Sequence, residues 1–273
     1  MVPGTNQPEP PPATAGATVA ERPAELGETT SGPIDAPAIV FLHGTRLSRA
    51  VWTPQRRALD DEFRVIALDL PGHGERAMEP FTLEGAVDTV AAAIRDGAAG
   101  GRAVVVGLSL GGYVAMTLAA SHPELVRGLV IAGASAEPVG IRRLAYRALA
   151  AILAGLDGPR LDRLNRWFFR TRYPVSIAEP IVAGGFWSGG GAVALRTLFD
   201  QRFLPRLAAY PGPTLILNGE LDLLFRLSAP TFAMAACDAR GVVLAGALHL
   251  SNLDRPDAFS LAVREFARSA GSA

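Results

Sequence analysis

The chain has 273 residues, 49% of them hydrophobic and only 19% charged, so it can bury the core of one large domain or two small ones. Its 26 basic and 26 acidic residues balance, which removes any general attraction to nucleic acid or an anionic membrane. Every basic residue is arginine, and without lysine there is no Walker A phosphate loop, no pyridoxal Schiff base and no Ser–Lys dyad. The single cysteine, Cys237, excludes an internal disulfide and a cysteine-based zinc cluster, and it is expected as a small core residue.

The amino-terminal stretch MVPGTNQPEPPPATAG carries neither a basic leader region nor an apolar run, so residues 1–16 read as a disordered proline-rich tail rather than a secretion signal. No stretch reaches the roughly 18 apolar residues of a membrane span. The expectation is a cytoplasmic protein. Residues 18–35 are weakly patterned and have room for two short edge strands.

The first strong signal is the apolar run Ala38–Leu42, which stops at His43-Gly44. Short apolar runs bounded by turn residues suit strands buried on both faces. Three more follow at 65–68, 103–106 and 129–131, separated by helical stretches near 52–60, 82–96 and 111–120. That alternation predicts an α/β fold, a mostly parallel sheet with helices on both faces. Runs at 214–217 and 242–244 resume the pattern, and a helix at about 255–269 closes it. Between Gly133 and Pro211 the strand signal is absent. This stretch reads as helices interrupted by proline and glycine, an insertion over the sheet too broken to form a domain of its own. It includes the loose segment GGFWSGGG at 184–191. Residues 134–210 hold 11 arginines against 5 acids, a net of +6.

Gly107-Leu108-Ser109-Leu110-Gly111 matches G-x-S-x-G and stands directly between a predicted strand and a predicted helix. A sharp strand-to-helix turn lifts a serine hydroxyl above the sheet edge, where the helix amino terminus favours a developing anion. The alternative is a plain tight turn whose serine caps the helix. A nucleophilic serine needs a base, and on a sheet of this type the partners follow in the order Ser, acid, His. His43 and His73 precede Ser109, and His122 falls where a helix ends, a position that is usually at the surface. His249, in a loop after the last strand, remains. The acid should lie between, at a strand's carboxyl end. Asp222 meets that condition, with Glu220 and Glu137 as competitors. Neither the histidine spacing nor the glycine runs fit a metal site or a dinucleotide fingerprint, so neither metal nor cofactor is expected.

Taken together, His43-Gly44-Thr45, Asp69-Leu70-Pro71-Gly72-His73-Gly74, GLSLGG at 107–112, GELD at 219–222 and His249 resemble the α/β-hydrolase fold superfamily, from about residue 36 onward. The resemblance implies Ser109 as nucleophile, Asp222 as acid and His249 as base. It implies the backbone amides of Thr45 and Leu110 as an oxyanion hole. It also implies a core of residues 17–133 and 211–273 with 134–210 as a cap. Serine at 109 argues against the haloalkane dehalogenases and epoxide hydrolases, which use aspartate there. The surroundings of SxGG are similar to enol-lactonases and small-molecule esterases. Two positions depart from the pattern and are expected at the pocket rim: Glu75, where serine is commoner, and Leu248, where glycine often precedes the histidine.

The function implied is cofactor-independent hydrolysis of a small-molecule carboxylic ester or lactone through an acyl-enzyme. C–C bond hydrolysis, lyase chemistry, acyl transfer or natural-product cyclisation on the same triad are alternatives, as is a binding protein on the same scaffold. Six arginines, Arg142, Arg143, Arg147, Arg163, Arg166 and Arg170, recur at helical intervals in the net-positive stretch. They are expected to place a positive field over the pocket mouth, or to form a solvated basic face.

Overall fold

The computed structural model describes Met1, residues 28–155 and residues 158–271. The proline-rich stretch read as a disordered tail and the first of the two edge strands expected in 18–35 lie outside the described residues.

Among the described residues, seven strands form one sheet in the order β1-β3-β2-β4-β5-β6-β7. They are β1 (Glu28–Ser31), β2 (Ala38–Leu42), β3 (Arg64–Leu68), β4 (Ala103–Leu108), β5 (Val126–Ala132), β6 (Pro213–Gly219) and β7 (Asp238–Leu244). All neighbours run parallel except β1, which pairs antiparallel with β3 at the edge. The α/β architecture expected from the alternating runs is the one observed.

Side chains of β2 and β3 alternate between two cores, as the period of two in a strand demands. Val40, Leu42, Ile66 and Leu68 face the layer of α2 (Leu83–Gly97) and α3 (Leu110–Ser121). Ile39, Phe41, Val65 and Ala67 face α1 (Thr53–Leu59) and the closing helix α12 (Pro256–Gly271). Helix α2 starts where Thr82 turns its hydroxyl onto the Gly85 amide at 2.9 Å, satisfying a donor the first turn leaves open. Helix α3 is apolar but for Thr117 and the terminal Ser121, because it packs against the sheet on one side and against α2 and α8 on the other.

Five helices fill the stretch between β5 and β6: α4 (Arg142–Gly155), α5 (Pro159–Arg172), α6 (Val175–Gly184), α7 (Ser188–Thr197) and α8 (Leu204–Ala209). Helices α4 and α7 pack together, as do α5 and α6, whereas α8 lies against α3 with Phe203 and Leu207 in the main core. After β6 come α9 (Leu223–Arg226) and α10 (Ala229–Ala235), and after β7 comes α11 (Ser251–Asp254). Among the described residues no helix is long and apolar enough to cross a membrane.

Two expectations fail. Cys237 is exposed rather than in the core, just beyond α10 at the start of the edge strand β7. That strand is also longer than its apolar run, beginning at Asp238 instead of Val242. An edge strand is held by backbone pairing to one neighbour and leaves much of its surface in water, so polar residues extend it without an apolar signature.

Candidate active site

Strand β4 ends at Leu108, and Ser109 then takes φ 51° and ψ −114° before α3 begins. A non-glycine residue with positive φ is strained and persists only where its surroundings hold it. Three hydrogen bonds do so. The Ser109 amide donates to Ala132 O at 2.8 Å, and the amides of Gly112 and Tyr113 donate to Ser109 O at 2.9 and 3.3 Å. The glycines of the motif allow the tight crossing, since a Cβ on Gly107 would strike the Gly111 carbonyl and one on Gly111 would strike the Leu42 carbonyl. The Ser109 side chain makes no capping hydrogen bond to α3, so the helix-cap alternative fails.

Asp222 follows β6 and is 9% exposed; its Oδ2 lies 2.7 Å from Nδ1 of His249. A carboxylate only accepts, so Nδ1–H is the donor, and Asp222 leaves Nε2 unengaged. The Phe225 ring stacks on the imidazole with centroids 5.1 Å apart. The competitors are engaged elsewhere. Glu137 accepts the amides of Phe203 and Leu204, each at 2.8 Å, and Glu220 accepts the Gly246 amide at 2.8 Å. His122 is partly exposed at the end of α3, 3.5 Å from Glu124. Among the described residues, no set of three or more His, Cys, Asp or Glu side chains converges as a metal site requires.

Ser109, Asp222 and His249 share one cavity of about 410 Å³ with Thr45, Leu110 and a wall of Tyr, Phe and Leu side chains. The loop bearing Thr45 is anchored from both ends. The His43 Nδ1–H donates to Gly44 O at 2.8 Å and its Nε2 accepts the Leu70 amide at 3.0 Å. Complete burial pushes the His43 pKa down to about 4, and burial with His43 nearby pushes His73 down to about 3. From above, Thr45 Oγ1 donates to Gly191 O at 3.2 Å and the Trp187 amide donates to Arg46 O at 2.8 Å. The loose glycine segment thereby gains a purpose: a Cβ on Gly190 would collide with the Gly72 carbonyl, and one on Gly191 would press on Thr45.

Sequence reasoning missed several residues at this site. Tyr113, one turn after Ser109, donates its hydroxyl to Ala136 O at 2.5 Å. Tyr146 on α4 lies 2.6 Å from the same hydroxyl and must be the donor, because the Tyr113 proton is already committed. Burial pushes Tyr146 up to about 12 and Tyr113 well above its ordinary value, so both remain protonated. Asp254 accepts the Leu248 amide at 2.8 Å, Arg172 at 2.7 Å and the Tyr173 hydroxyl at 3.1 Å, tying α5 to the loop of His249. Arg46 also lines the cavity; its position beside Thr45 was the only available signal.

The six helical arginines do not line the cavity. Arg143 pairs with Asp200, Arg166 with Asp162 and Arg170 with Glu179, at 2.8, 2.6 and 2.7 Å. The two departures from the family pattern are not at this rim either. Glu75 accepts Arg49 beside a different cavity, and Leu248 points partly into solvent.

Comparison with known proteins gives a consistent result. Residues 39–262 match the Alpha/beta hydrolase family. A pimeloyl-[acyl-carrier protein] methyl ester esterase of Edwardsiella ictaluri is 31% identical over 84% of this chain and 92% of its own. A 3-oxoadipate enol-lactonase of Acinetobacter baylyi is 27% identical over 89% and 93%. Among solved structures, a thermophilic esterase from Thermogutta terrifontis, with malate bound, superposes with TM-score 0.74 at 26% identity, covering 89% of this chain and 93% of that one.

Proposed function

This chain belongs to the alpha/beta hydrolase family, and from that premise we propose that it hydrolyses a small-molecule carboxylic ester or lactone through a serine acyl-enzyme. The observation that carries the reading is the Asp222–His249 hydrogen bond in one cavity with a strained, uncapped Ser109. Relatives described as a methyl ester esterase and an enol-lactonase support the same class of bond.

In this mechanism Nε2 of His249 takes the Ser109 proton as Oγ attacks the carbonyl carbon. Asp222 holds the Nδ1–H tautomer and stabilises the imidazolium that forms. The tetrahedral oxyanion lies against the amides of Thr45 and Leu110, both of which border the cavity. Losing one such donor costs about 3–4 kcal/mol of barrier. The imidazolium then protonates the departing alkoxide, and in a lactone that oxygen stays tethered to the acyl group. Water, deprotonated by the same nitrogen, attacks the acyl-enzyme, and Ser109 recovers its proton. Residues 134–210 act as the cap over the core formed by 17–133 and 211–273. Ala145, Tyr146, Leu149, Leu153, Phe169 and Leu195 supply apolar wall to the cavity from that segment.

Labelling with a fluorophosphonate tests the reading. The wild-type protein should be modified stoichiometrically at Ser109 and lose its activity on a panel of short esters and lactones, while Ser109→Ala should take up no label. Label on another residue, or an unlabelled protein with no activity across the panel, would refute it.

A further inference from the structure

Arg46 carries the one arginine side chain among the residues lining the cavity of Ser109 and His249. It is half-buried, follows Thr45 directly, and sits at φ 58°, in the left-handed region that a branched or long side chain rarely adopts. Its backbone is held there by the Trp187 amide and by the close pass of Gly191. Among the described residues its guanidinium meets no carboxylate and donates no hydrogen bond. Burial without a counterion holds its pKa below the ordinary arginine value. Three residues later Arg49 shows the usual outcome for an arginine withdrawn from water, with ion pairs to both Asp69 and Glu75. A cation half withdrawn from water and without a protein partner is placed to pair with an anion that enters the cavity.

Resting on the hydrolase reading above, we propose that Arg46 receives a carboxylate of the substrate, so that the enzyme prefers esters or lactones carrying one negative charge a short spacer from the bond it cleaves. The planar guanidinium fork matches a carboxylate in two parallel hydrogen bonds. A monoanion fits the charge of the pocket, since it neutralises Arg46 alone. A phosphate dianion would leave one negative charge uncompensated in the same cavity as Asp222. The remaining wall is apolar and suits the spacer. Tyr113 and Tyr146 have both protons committed to each other and to Ala136 O, so they do not compete with Arg46 as anion donors.

The test uses two matched pairs of esters, because the charge can ride on either side of the scissile bond. Mono-4-nitrophenyl glutarate against 4-nitrophenyl butyrate places it on the acyl group. 4-Acetoxybenzoate against methyl 4-acetoxybenzoate places it on the leaving group. In at least one pair, wild-type kcat/KM should favour the anion by tenfold or more, chiefly through KM. Arg46→Gln should remove that preference while changing the neutral ester less than threefold, and Arg46→Lys should restore part of it. Calorimetric titration of the same four esters into Ser109→Ala reads the preference without turnover, so it stands apart from any failure of the hydrolase reading. Equal losses on charged and neutral esters in Arg46→Gln would reduce Arg46 to a support of the Thr45 loop. No anion preference in either pair, by kinetics or by titration, would overturn the proposal.

Discussion

Two of the cavities on this molecule contrast in chemistry, and the larger of the pair is the less informative. The one of about 530 Å³ is bordered by Arg49, Trp52, Arg56, Asp69 and Glu75, and its central charges are already matched. The Asp69 carboxylate, fully buried, takes the Arg49 amide at 2.7 Å, the Arg49 guanidinium and the Glu75 amide at 3.0 Å. The smaller cavity holds a strained serine, a histidine with one nitrogen free and an arginine without a partner. Unmet chemistry marks a site better than volume does, because evolution has no structural reason to leave a group strained or unpaired. The two arginines, three residues apart on one loop, state the contrast: Arg49 holds the fold, and Arg46 faces the pocket.

The contrast is broken most directly at Ser109. Ser109→Ala should lower kcat/KM by about 10⁴-fold or more and leave the melting temperature near wild type, since it removes only a hydroxyl and keeps the Cβ and the backbone contacts of the turn. Activity above a hundredth of wild type, measured on the best ester, would require another nucleophile.

Next, Asp222→Asn should cost about 10⁴-fold in kcat. Glu220→Gln and Glu137→Gln should stay within tenfold, because neither carboxylate reaches His249. Were Glu137→Gln the most damaging of the three, the acid would be misplaced.

Acid should weaken the support beneath the Thr45 loop. His43 and His73 are held neutral in the fold, at about 4 and about 3, against ~6.5 in an unfolded chain. Between those limits the unfolded state binds protons that the folded state refuses, so stability is intact above ~6.5 and falls as pH drops below it. From pH 7.5 to 4.5 each histidine should remove roughly 2–3 kcal/mol, read from urea unfolding at several pH values. A slope corresponding to less than one proton between pH 5.5 and 4.5 would contradict this.

The two arginines provide the smallest and most pointed comparison. Arg49→Leu should destabilise by about 3 kcal/mol, because it strands the buried Asp69 carboxylate. Arg46→Gln should shift stability by under about 1 kcal/mol, having no partner to strand. Urea midpoints for the pair decide it, and equal destabilisation would erase the distinction drawn between the cavities.

Much of this was legible before folding. Runs such as Ala38–Leu42 and Ala103–Val106 are strands because a buried parallel strand needs an unbroken apolar stretch, and that is a local property. The elbow at Ser109 is likewise local, since glycines on either side permit the turn wherever the sequence places them. The positions of Asp222 and His249 were read from chain order on such a sheet, and the two side chains lie 2.7 Å apart. What the tertiary structure alone decided concerns partners. Arg46 and Arg49 look alike in sequence, and only the packing of Asp69 and Glu75 around one of them separates their fates. Cys237 reads as a core residue until the edge position of β7 leaves it in water. The glycines at 190–191 read as a loose linker until α7 is brought down onto Gly72 and Thr45. Strand and turn preferences are set by neighbours in sequence, whereas pairing, burial and close approach are set by neighbours in space.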